Sequence, residues 1–119
     1  MTLPELVEIA KKMRAVVIVP AELRDREKLD SFMEYALNVE SEIEEIDLIS
    51  KGAIPFTLEK RLAIAEAQSL RTAIREFDRE SDRLLSRPQT EDAIQAFEHA
   101  GHLLKNALGR FIVLAEAVQ

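Results

Sequence analysis

Apolar residues recur along most of the chain in alternating steps of three and four, a spacing that predicts helices burying one stripe each against other helices. Leu3, Leu6, Ala10, Met13 and Val17 form the first seam, and Leu29, Phe32, Ala36, Val39, Ile43 and Ile46 the second. Ala63, Ala67, Leu70, Ile74, Phe77, Ser81 and Leu84 make the third. Ile94, Phe97, Gly101, Leu104, Leu108, Phe111, Ala115 and Val118 make the fourth.

Local signals place the ends of these elements. Thr2 and Glu5 have capping-box spacing, and Pro4 falls in a first turn, where its missing N–H costs nothing. The first helix is therefore expected over 3–19, up to Pro20. Val16-Val17-Ile18-Val19 is β-branched throughout and also suits a buried strand. The second helix is expected over 25–51, with Gly52 as its C-cap and Pro55 closing the connection. Thr57 caps a third helix over 57–86 that Pro88 stops, and Thr90 caps a fourth over 90–118. Short connections force successive helices to reverse direction. The expected fold is all-α: one domain spanning 1–119, an antiparallel up-down four-helix bundle with a short first helix.

Two segments do not fit a lone bundle. Ala15 to Val19 and Phe111-Ile112-Val113-Leu114-Ala115 are apolar around the whole helix, whereas every helix of a four-helix bundle keeps an outward face. Such girdles need an extra covering layer or remain as an interaction patch. Val16, Val17, Ile18, Phe111, Ile112 and Val113 are accordingly the candidate contacts of a homodimer. Ala93, Ala100, Ala107 and Leu114 add a second stripe to the fourth helix, suited to close approach of another helix inside the chain or outside it.

Composition narrows the chemistry. The 119 residues hold 47% hydrophobic and 32% charged side chains with three Gly and four Pro, a balance that favours one helical core over disorder or a β-sandwich. No Cys is present, which removes disulfides, thiolate metal sites and cysteine nucleophiles. The net charge of -6 opposes direct nucleic-acid binding. No secretory pattern and no apolar run of membrane-spanning length is evident, so a cytoplasmic protein is expected.

The acid excess is local. Residues 20–51 carry four bases and ten acids, and Glu40, Glu42, Glu44, Glu45 and Asp47 follow one another without a base between them. That cluster is either a solubilising face or a docking surface for a basic protein. Arg71, Arg75, Arg79, Arg83 and Arg87 form a ridge at four-residue spacing, interleaved with Glu76, Asp78, Glu80 and Asp82 that neutralise most of it.

Glu98, His99 and His102 are the weak candidates for a metal. The seam Phe97-Gly101-Leu104 places both histidines on the opposite, solvated side, and no Glu-x-x-His stands there as a di-iron site requires. No serine lies in a Gly-x-Ser-x-Gly elbow, and three separate glycines make no phosphate loop. No catalytic residue and no cofactor is expected. The reading that remains is a non-catalytic interaction or adaptor bundle that self-associates. Its alternatives are a ligand- or metal-binding bundle using the histidines and an acidic regulator of a basic partner.

Overall fold

The computed structural model describes residues 3–17, 37–39, 41, 43–45, 52, 54, 56–86 and 90–118, and it is all-helical. Helix α1 spans Leu3–Val16, α2 Phe56–Arg61, α3 Ala63–Ser86 and α4 Glu91–Val118. Residues 37–39, 41 and 43–45 are helical as well, with Val39 and Ile43 in the core. Among the described residues no strand occurs, and no helix is long and apolar enough to cross a membrane.

Helix α4 organises the molecule. Its 28 residues make a rod of about 42 Å at ~1.5 Å per residue, close to the 46 Å long axis of the protein. Thr90 starts it as the sequence implies: its Oγ1 accepts from the Ala93 N–H at 3.2 Å, and its carbonyl accepts the Ile94 N–H at 3.0 Å. Glu91 and Asp92 place negative charge in the first turn, where the helix dipole favours it.

Against α4, α3 forms an antiparallel hairpin. Glu66 meets Arg110 near the start of α3, and Phe77 meets Phe97 further along at 5.0 Å between ring centroids, so partners advance on α3 as they retreat on α4. Helix α1 packs on α4 alone among these two, through a face made of Leu6, Ala10 and Met13. Lys11 reaches Glu116, and Arg14 lies 4.0 Å from where a Gly109 side chain would begin. Those two contacts make α1 antiparallel to α4 as well. The second alanine stripe follows from this sandwich: Ala93, Ala100 and Ala107 are buried because α4 has neighbours on more than one side.

Three expected boundaries change. The first helix stops at Val16, short of residue 19, although the Val17 N–H still donates to the Met13 carbonyl and its side chain is buried. Ile18 and Val19 lie outside the described residues. Gly52, expected as a left-handed C-cap, is helical with an ordinary negative φ.

The helix expected over 57–86 is broken at Leu62, and Ala63 takes a φ of 53°. The reason is a slip in phase. Leu58 and Leu62 are buried and so is Ala67, five positions beyond Leu62, which on an unbroken helix would point well away from them. One left-handed residue resets the rotation so that both halves face the core. It leaves Ala63, counted in the third seam, exposed.

Candidate interaction face

The girdle residues divide sharply. Phe111 and Ile112 are 4% and 3% exposed, and Val17 is buried with them, all in the single hydrophobic cluster of this chain. Helix α4 is apolar all round at this level because α1 covers one flank and α2 and α3 cover others. Cover for Val17, Phe111 and Ile112 is supplied from within, so three of the six candidate contacts are spent on the interior. Val16 is half-buried against the core, Ile18 lies outside the described residues, and Val113 stands 67% exposed.

Val113 borders an open face. A shallow depression of about 420 Å³ is lined by Glu66, Gly109, Arg110, Val113 and Leu114. It meets at Arg110 a larger groove of about 490 Å³ running between α3 and α4. The groove is floored by buried Ala73 and Ala107 and edged by Ser69, Thr72 and Leu103, the last 40% exposed. Small side chains on facing positions of α3 and α4 form its floor.

Ion pairs fix its borders. Arg110 Nε donates to Glu66 Oε2 at 2.9 Å across the α3–α4 seam, with both side chains about half exposed. Glu66, a carboxylate flanking the seam in the sequence, is thereby a partner of Arg110. At the other end Glu76 receives a 3.5 Å contact from exposed Arg79 on its own helix. On the α1 flank, Lys11 lies between Glu116 and Glu8, and its pKa is raised above 10.5, chiefly by the hydrogen bond to Glu116. That ammonium stays charged over the whole physiological range.

The other candidates are scattered. His99 and His102 are exposed on α4, with half-buried Glu98 immediately before them. Among the described residues no group of three His, Asp or Glu converges as metal ligands would. Of the acidic cluster, Glu44 and Glu45 are exposed, whereas Glu40, Glu42 and Asp47 lie outside the described residues.

The arginine ridge is largely answered by acids. Arg71 pairs with Glu59 at 2.9 Å, tying α3 to α2, and Arg83 approaches Glu80 at 3.8 Å. Arg87 is outside the described residues. Arg79 lies 3.5 Å from Glu76, and its Nε lies 3.8 Å from Glu80.

Leu103 is the residue that seam reading overlooks. It sits beside seam position Leu104 and shares its side of α4 with Arg110, seven positions on. An apolar residue isolated on that polar ridge is the available signal. No family model matches the chain, and neither a curated protein nor a solved structure matches it.

Proposed function

We propose that this protein is a non-catalytic interaction bundle, an antiparallel up-down four-helix bundle that associates with itself in the cytoplasm. The arrangement of α1 supports the bundle reading. In an up-down bundle the first and third long helices are diagonal and parallel, and α1 contacts α4 but not α3 while running antiparallel to α4. The 37–45 segment, whose Val39 and Ile43 enter the same core, belongs to the second long helix on this reading.

The observation that carries self-association is the open α3–α4 face, where Val113 and Leu103 stand exposed beside a groove with a small-residue floor. The acidic excess and the lack of Cys suit a soluble protein of a reducing compartment. Sedimentation equilibrium of the full chain tests the reading directly. A mass of twice 13.5 kDa at micromolar concentration is expected. A single-chain mass maintained up to about 1 mM, where binding is worth only about 4 kcal/mol, would end it.

A further inference from the structure

Helix α2 meets α3 at a bend for which the sequence supplies no local cause. From Phe56 to Arg87 there is neither Gly nor Pro, and Leu58 to Glu66 are residues of ordinary or high helix propensity. Helical bonding runs up to the bend: the Leu62 N–H donates to the Leu58 carbonyl at 2.8 Å, and α3 begins at the next residue. The departure from a continuous helix is thus confined to Leu62 and Ala63, where Ala63 takes a left-handed φ of 53° that its Cβ resists.

Interactions outside the backbone must hold such a bend. Burial of Leu58 and Leu62 is one. The other is the Glu59–Arg71 ion pair, 2.9 Å long, with both side chains less than a third exposed. Its partners are 12 residues apart, which on a straight helix is about 18 Å at ~1.5 Å per residue, farther than these two side chains reach to a contact of that length. The pair therefore exists only while the chain is bent. Arg71 Nε is buried without a partner among the described residues, so loss of Glu59 leaves a largely desolvated guanidinium unanswered.

Straightening has a definite consequence. Leu58 and Leu62 stand seven residues before Ala65 and Ser69, which line the α3 wall of the groove, and seven residues return a helix to nearly the same face. On a continuous helix both leucines leave the core and lengthen that wall with apolar side chains.

We propose that α2 is a latched arm: the Glu59–Arg71 pair holds it bent at Ala63, and on release it swings out to continue α3, carrying Leu58 and Leu62 from the core to the groove wall. The arm works within one chain and does not depend on self-association.

A chain without Cys makes the test direct. Spin labels on Thr57→Cys and Arg75→Cys, both exposed positions, report the arm by pulsed electron paramagnetic resonance of the full chain diluted with unlabelled protein. A straight arm sets the two labelled backbones about 27 Å apart at ~1.5 Å per residue, whereas the bend that brings Glu59 onto Arg71 keeps them closer. The otherwise natural chain is expected to give the shorter distance.

Arg71→Met, and separately Glu59→Ala, should raise the fraction at the longer distance at least tenfold with helical circular dichroism retained. Adding Ala63→Gly to either should restore the shorter distance, because Gly accepts the bend and weakens the straight helix. The proposal fails if either latch variant keeps the shorter distance, or if the natural chain already shows the longer one. A broad spread of distances with loss of helicity also overturns it, since α2 then melts and does not swing.

Discussion

Ile112 and Val113 are adjacent in sequence, equally apolar, and opposite in fate, which makes them a direct measure of whether the chain covers its own girdle. Ile112 is 3% exposed within the core cluster, so truncation to Ala removes buried methyl and methylene groups and leaves a cavity. Comparable core truncations cost about 2–5 kcal/mol, and about 3 kcal/mol is expected here. Val113 keeps two-thirds of its surface in water. Its truncation forfeits little burial and gains a better helix former, so the change stays within about 0.5 kcal/mol.

Urea unfolding followed by circular dichroism, at a protein concentration low enough to suppress association, reads both. With a slope of about 1.5 kcal/mol/M, Ile112→Ala should lower the midpoint by about 2 M and Val113→Ala should barely move it. Equal midpoints for the two variants, or a larger drop for Val113→Ala, would refute the placement of α4 between its neighbours.

Two further outcomes follow from single positions. Ser81 is fully buried in the α3 seam between Phe77 and Leu84, and its Oγ has no hydrogen-bond partner among the described residues, so Ser81→Ala should raise thermal stability by about 1 kcal/mol, read by calorimetry. A loss of stability would show that the hydroxyl is satisfied. Ala63 holds a left-handed φ of 53°, a conformation costing a residue with a Cβ roughly 1–2 kcal/mol, of which Gly returns part as unfolded-state entropy. Ala63→Gly is therefore expected to stabilise by about 0.5 kcal/mol and Ala63→Val to destabilise. The reverse order in urea unfolding would mean that no such break exists.

Periodicity read the inward faces well because burial imposes it: Leu6, Ala10 and Met13, then Leu70, Ile74 and Phe77, then Phe97, Leu104 and Leu108 all lie in the core. The Thr90 cap was legible from its hydroxyl, whereas Thr57, expected to cap the third helix, lies inside α2, which begins at Phe56. The break at Leu62–Ala63 was not legible, since neither Gly nor Pro stands there.

The girdle at Phe111 and Ile112 was recognised as needing cover, but sequence spacing gives the width of an apolar stripe and not the identity of what lies against it. Tertiary placement of α1 and α2 decided that. The open groove is equally a tertiary object, built from Ala73 and Ala107 that come together only when α3 and α4 pair, and only Val113 and Leu103 mark it in the chain.

Because α1 docks on α4, the described helix farthest from it in chain order, that part of its apolar face meets its partner only once the rest of the polypeptide has been made. The hairpin of α3 and α4 closes over a short span and suits rapid collapse, whereas docking of Leu6, Ala10 and Met13 waits on the most distant pairing in the molecule. During that wait the sticky amino-terminal rod is available to strangers as well as to its proper seat, so chaperone capture and exchange of this rod between nascent neighbours are the hazards this topology carries.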